Sequence, residues 1–386
     1  MHLVDVAEFY APEGGGVRTY IEAKLAWAAR SGARVTVVAP GPETRTEARP
    51  GGAIEWVKAP ALPFDRRYRL FTGTGAIHRL LDRLRPDVVE ASSYQVSALA
   101  VATWRGPVAA RATRALVLHG DFVAQHPQTW LSGLLPPPVV DAACFWFWGG
   151  LRLLARRFDR VVAGTRWMAE RVRRQAGVEA TVVPWGIDLD LFRPERRDPG
   201  LRAALLEEMG LPASAPLLVA VGRHHPEKRW PMLFEAVGRA AATRAMGLVQ
   251  LGDGFDRARV ERAAARVPQV RLLGQVADRE RLAAIVASAD AFVHGSRAET
   301  FGLVASEALA SGVPLLLPDA GGCLDAAHPD WAETYRAGDA RAAARGLLRL
   351  LARDPEALRA AAARGRGRLW RPDAHFDALL ALYREP

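Results

Sequence analysis

The chain has 386 residues, half of them hydrophobic, with 52 Lys+Arg against 42 Asp+Glu and a formal net charge of +10. That length and apolar content fit two domains with separate cores. No run of about 18 apolar residues occurs, two distant cysteines (Cys144 and Cys323) cannot make a disulfide framework, and no asparagine is present, so a membrane-spanning, disulfide-stapled or N-glycosylated protein is excluded and a reducing cytoplasm is the expected location.

Short apolar runs alternate with amphipathic ones along the chain. "HLVDVA" reads as a buried strand, and with no basic leader around it no secretory signal is expected. A helical pattern over 17–30 follows, then strands at "RVTVVAP" and "AIEWVK" and a helix over "GAIHRLLDRLR" that stops ahead of Pro86. "DVVEA", "ALVLHG", "RVVAG" and "ATVVPWG" read as further strands. Residues 184–200, "PWGIDLDLFRPERRDPG", break the rhythm with proline, glycine and charge and are the predicted linker. The rhythm then restarts. Strands are predicted at "APLLVAVGR", "GLVQLGDG", "QVRLLGQV", "DAFVHGS" and "VPLLLPDAGG", separated by amphipathic helices, with further helices over 339–351, 355–364 and "AHFDALLALYR". The alternation predicts an α/β protein with two parallel sheets, each covered by helices on both faces.

Such sheets bind ligands beyond the carboxyl ends of their strands, so the loops there carry the candidate chemistry. "EFYAPEGGGVRTY" sets Gly14, Gly15 and Gly16 between a strand and a helix, where backbone approaches an anion closely. The third glycine of the nicotinamide-cofactor pattern is missing, and the second strand ends without an acid, which argues against an oxidoreductase. "VAVGRHHPEKRW" places Arg223 and Lys228 after a strand, a guanidinium fork and a point charge suited to a diphosphate; Lys228 is one of only three lysines. Gly252 and Gly254, and Gly321 and Gly322, follow strands and read as turns or as phosphate approaches. In "SRAETFGLVASEALASGVP", Glu299 precedes a helix expected to begin near Phe301 and Gly302, and Glu307 falls roughly two turns along it. The amides of Phe301, Gly302 and Leu303 would face an anion, and the two carboxylates would accept from sugar hydroxyls at either end of it. A nucleotide-sugar matches that layout.

These motifs together resemble the family-4 retaining glycosyltransferases, with their GT-B fold of two Rossmann-like domains facing across a cleft. The resemblance runs from "PEGGGVRTY" through "LVLHGDF", "VPWGIDLDLFRP" and "VGRHHPEKRW" to the E-x7-E element and "AGG". It implies an acceptor-binding domain over 1–186, a nucleotide-sugar domain over 187–370 and a helix over 371–386 that returns to the first domain. It also implies roles. Glu299 would hold the donor sugar, Glu307 the ribose, and Arg223 and Lys228 the diphosphate, helped by amides from Phe301 through Gly302 and Leu303 to Val304. Gly15, Gly16 and Gly252 would approach the donor, and His119 would contact the reacting sugar. The reaction implied is retaining transfer of a hexose, mannosyl or glucosyl, from a nucleotide-diphosphate sugar to an acceptor hydroxyl. No cofactor and no metal are expected, since cationic side chains replace the divalent metal that other transferases hold with clustered aspartates, and the sequence has no such cluster. "VHGSRAE" and Asp325 depart from the usual pattern and leave the donor open.

The acceptor is read from charge. Residues 1–186 hold 24 Lys+Arg against 16 Asp+Glu, whereas 187–386 hold 28 against 26. "CFWFWGGLRLLARRF", with four consecutive aromatics in 145–148 and arginines behind them, fits a core helix and also a lipid-facing surface. The basic excess points to a lipid or glycolipid acceptor, an anionic membrane surface on the cytoplasmic face, and no nucleic acid. The alternative on the same fold is a UDP-sugar 2-epimerase.

Overall fold

The computed structural model describes residues 1–12, 14–63 and 65–385. They divide into two compact units, one of Met1–Val123, Leu131–Trp185 and Pro372–Pro386, the other of Ala124–Trp130 and Gly186–Arg371.

The first unit is built on eight strands: β1 (His2–Val6), β2 (Arg34–Gly41), β3 (Arg45–Arg49), β4 (Gly52–Lys58), β5 (Val88–Ala91), β6 (Thr113–Leu118), β7 (Arg160–Ala163) and β8 (Thr181–Val182). Their spatial order is β3-β4-β2-β1-β5-β6-β7-β8. All neighbours run parallel except β3, which returns antiparallel on β4. The expected parallel sheet therefore carries an antiparallel edge. "RTEAR" hides it from hydropathy, because an edge strand with both faces largely in water needs no apolar alternation, and its charges blunt the edge.

β1 is buried throughout, Asp5 included. Lys24, from the helix Gly16–Ser31, is also buried and donates to Asp5 at 2.5 Å and to Glu90 of β5. Burial opposes the Lys24 charge, but the two carboxylates outweigh it and raise its pKa. Ser92 donates to Asp5 at 2.6 Å and Tyr383 to Glu90 at 2.7 Å. Tyr383 lies on the helix Pro372–Arg384, whose buried His375, Phe376, Leu379 and Tyr383 mark one face. The last helix thus packs in the first unit, where Trp27 Nε1 also donates to Asp377 at 2.9 Å.

The second unit has six parallel strands: β9 (Leu217–Val221), β10 (Gly247–Leu251), β11 (Val270–Gly274), β12 (Ala291–Val293), β13 (Leu315–Pro318) and β14 (Ala332–Tyr335). The order is β11-β10-β9-β12-β13-β14. The chain winds outward from β9 to β11, then restarts beside β9 at β12. Leu217 and Val219 join one apolar cluster with Phe292, Leu309 and Trp331, while Leu218 and Ala220 join another with Trp230, Phe234 and Leu347. Alternate residues of β9 thus feed opposite faces of the sheet, both covered. β14 was missed because "AETY" is short and half polar.

The predicted linker is mostly part of the second unit. Ile187 and Phe192 are buried there, the Leu191 amide donates to Asp188 at 3.0 Å, and Asp198 caps the helix Pro199–Glu208. Apolar residues spaced among the charges make this packing possible.

Lys24→Met leaves two buried carboxylates without their cation. It is expected to destabilise the protein by about 3–5 kcal/mol at pH 8, and by less at pH 5, where a carboxyl can take a proton. Urea unfolding at the two pH values measures this; an unchanged midpoint at pH 8 would show that the network carries no stability.

Candidate functional site

β9 and β12 are neighbours whose following loops belong to windings in opposite directions, which is the switch point of the second sheet. The loop after β9 carries Arg223 to Arg229. Trp230 Nε1 donates to the Arg223 carbonyl at 2.9 Å, and Pro226–Lys228 forms a short 3-10 turn. Arg229 then takes a left-handed conformation, φ 55°, which turns the chain into the helix Trp230–Ala241. The loop after β12 carries Glu299. Lys228 Nζ donates to Glu299 Oε1 across the two loops and lies 3.4 Å from Glu227. Burial, the largest single influence, would raise the Glu299 carboxyl, but Lys228 together with His294 and Arg223 outweighs it and holds the group down at about 2. Arg223 is 44 % exposed and 3.9 Å from Glu227.

Glycines fix these loops by close packing. A Cβ on Gly322 would lie 2.1 Å from the Thr300 carbonyl oxygen, and the Gly322 amide donates to the Glu299 carbonyl at 2.6 Å. The "AGG" turn therefore supports the Glu299 backbone. Gly252 has φ 127°, and a Cβ there would lie 2.1 Å from the Gly222 carbonyl oxygen. Its glycine character is thus required by the neighbouring loop. Gly302, at φ 83°, opens the helix Leu303–Ala310, which starts later than expected. Glu307 is consequently about one turn into the helix rather than two. Among the described residues, the amides of Gly302, Leu303 and Val304 have no backbone acceptor, as a helix N-terminus leaves them. Glu307 is largely but not fully enclosed, its side chain 14% exposed, with Arg279 at 3.7 Å as its nearest cation. Burial pushes its carboxyl up to about 7, and Arg279 offsets only part of this.

Residues 14–191 match the model of "Glycosyltransferase Family 4", and 215–353 match that of "Glycosyl transferases group 1". The chain is 30% identical over 339 residues to a GDP-mannose-dependent alpha-(1-6)-phosphatidylinositol dimannoside mannosyltransferase of Mycobacterium tuberculosis, covering 84% of each. The chain belongs to glycosyltransferase family 4. A second relative of this family-4 glycosyltransferase, a GDP-mannose-dependent alpha-mannosyltransferase of the same species, is 32% identical over 84% of this chain and 80% of that one. Neither relative is named an epimerase, and that alternative gains no support from them. Among solved structures, sucrose-phosphate synthase from Thermosynechococcus elongatus aligns over 99% of this chain and 98% of its own with a TM-score of 0.78 at 22% identity. Anabaena Alr3699/HepE in complex with UDP-glucose aligns over 99% and 100% with 0.70 at 18%. The fold is GT-B.

The second unit of the glycosyltransferase thus brings together Arg223, Lys228, Gly252, Glu299 and the helix start at Phe301 to Val304, with Glu307 one turn on. Gly15, Gly16 and His119 belong to the first unit. Gly15 precedes the helix Gly16–Ser31, and a Cβ there would meet nothing within 4 Å. His119, at the exit of β6, sits against Trp185 and Tyr20, ring centroids 4.5 and 4.7 Å away, and burial pushes its imidazole down to about 3. It is neutral at pH 7.

Two groups escaped the sequence reading. His294, the last residue before the Glu299 loop, is buried with its Nε2 3.7 Å from Glu299, and burial lowers it to about 4. Glu227 is buried between Arg223 and Lys228. A histidine directly at a strand exit was the available signal for the first; a glutamate in a charged loop gives none for the second.

Glu307 holds its proton more tightly folded than unfolded, so between about pH 4.5 and 7 the native state binds the extra proton and stability falls as pH rises. Glu307→Gln is expected to remove this dependence and to stabilise the protein by about 1–3 kcal/mol at pH 8, with little effect at pH 5. Equal changes at both pH values in urea unfolding would rule out the buried charge as their source.

Proposed function

We propose that this glycosyltransferase moves a hexose, mannose from GDP-mannose being the first candidate, to a hydroxyl of a lipid or glycolipid acceptor held at a membrane surface, with retention and without a metal. The observation that carries the reading is the meeting of Arg223, Lys228 and Glu299 at the switch point of the second sheet. The relatives' names supply the candidate donor and acceptor class.

Lys228 is paired with Glu299, and both are nearly buried. A diphosphate entering beside them offers the ammonium a second anion, and the same step frees the Glu299 carboxylate to accept from sugar hydroxyls. Arg223, more exposed, closes on the phosphate oxygens. As the anomeric C–O bond breaks, its electron pair goes to the leaving diphosphate, where Lys228, Arg223 and the amides of Gly302, Leu303 and Val304 meet the developing charge. The acceptor oxygen bonds to the anomeric carbon from the face the diphosphate is leaving, and its proton passes to a leaving phosphate oxygen. The first unit would hold the acceptor. Glu307 would accept from ribose hydroxyls.

Transfer from GDP-mannose and from other nucleotide-sugars to a phosphoinositide-type glycolipid tests the reading, with product configuration read by NMR. Lys228→Ala and Arg223→Ala are each expected to lower kcat/KM by about 10²–10³-fold, with EDTA without effect. Full transfer by Lys228→Ala, or an inverted product, would sink the mechanism.

A further inference from the structure

One face of the first unit takes no part in this chemistry. The helix Phe145–Ala155 buries Trp148, Leu151 and Ala155, and Trp148 and Leu151 join the unit's apolar cluster. At 100° per residue these three share one side of the helix. The opposite side is not polar. Trp146 there is 61% exposed and Leu153 64%, Phe145 on the flank is 74% exposed, and the stretch before the helix adds Leu134 at 78% with Leu135 and Val139. Six of the eleven large apolar side chains exposed among the described residues fall within 134–153. Ordinary surfaces scatter such residues singly, so this concentration marks a surface that meets something apolar.

Its charges name the kind of partner. From 122 to 158 the only acid is Asp141, and it is buried and held by Arg171 at 2.9 Å. Arg152, Arg156 and Arg157 are exposed. Phe145, Gly149, Arg152 and Arg156 follow one another at four- and three-residue steps, so the arginines border the exposed aromatics on one side of the helix. Nothing lies within 4 Å of a Cβ built on Gly149 or Gly150, which leaves the helix surface low between Trp146 and Leu153. A second copy of the chain would set the same arginines against each other in a two-fold contact. A bilayer bearing anionic headgroups meets both requirements: it takes up aromatic and leucine side chains at its boundary and offers phosphates to arginines whose stems lie along apolar surface.

We propose that this face docks the enzyme on an anionic lipid bilayer, with Phe145, Trp146 and Leu153 entering the boundary between headgroups and acyl chains and Arg152, Arg156 and Arg157 meeting lipid phosphates. The proposal gives the lipid-acceptor reading its surface and rests on that reading for its purpose. Vesicle binding is read without turnover, so the two can fail separately.

Co-sedimentation of the full chain with vesicles of phosphatidylcholine alone and of phosphatidylcholine mixed with phosphatidylglycerol tests it. The wild type is expected to bind the anionic vesicles, and salt to weaken that binding. The Phe145→Ser/Trp146→Ser variant should lose about tenfold or more in vesicle affinity. The Arg152→Gln/Arg156→Gln/Arg157→Gln variant should lose the preference for anionic lipid and the salt dependence. All five side chains are exposed, so both variants should melt as the wild type does. Absence of wild-type binding, or equal binding by the aromatic variant, overturns the proposal. So does a wild-type dimer that the aromatic variant turns into a monomer, since the face would then join copies of the chain. Vesicle binding with no transfer to any lipid acceptor would leave the surface standing and sink the acceptor reading instead.

Discussion

Glu299 is a carboxylate largely withdrawn from water, its side chain 18% exposed, and a charge so placed persists only when an opposite charge is set against it. Lys228 supplies that charge from a loop 71 residues earlier. Nothing local joins the two. They meet because β12 returns to the sheet beside β9, so that the loops after both strands open at the same edge. Much of the second unit's site follows from keeping this pair in place. The Gly322 amide holds the Glu299 backbone, the glycine pair lets that turn pack against Thr300, and Arg229 accepts a left-handed conformation so that Lys228 can face across the gap.

An ion pair suits a site that must receive an anion. With no diphosphate beside it, the lysine needs a partner and the glutamate needs a cation, and each serves the other. Glu307 shows the opposite arrangement. It is largely enclosed with one guanidinium at 3.7 Å, too little to offset its desolvation, and so it holds its proton near neutrality. A carboxylate kept where it weakens the fold is characteristic of a group retained for binding.

The chain has three lysines among 52 basic residues, and two of them, Lys24 and Lys228, are enclosed by carboxylates. Arginine serves elsewhere, mostly at the surface. A compact ammonium fits between two close carboxylates, whereas a planar guanidinium demands room and a fixed fork. In the first unit Lys24 ties the first helix to β1 and β5, and through Tyr383 to the last helix, so residues from both ends of the chain share one buried charge network.

The alternation of apolar runs and amphipathic helices by itself determined two parallel α/β sheets, most of their strands, and the loops that carry Arg223, Lys228 and Glu299, because burial on both faces of a parallel sheet imposes that pattern on the residues directly. β3 and β14 left no such mark, since an edge strand or a four-residue strand needs little apolar area. The start of the helix before Glu307 was read early because Gly302, which opens it, is set by contact with Cys323 and not by a local capping residue. Which residues share a site was set by strand order and long-range packing. The tertiary structure set His294 and Glu227 against the Glu299–Lys228 pair, assigned Gly252 and Gly322 to packing between loops, and turned the aromatic side of 145–153 both inward and outward. Those outcomes depend on strand order and on distances between segments far apart in the chain, which periodicity along one segment does not contain.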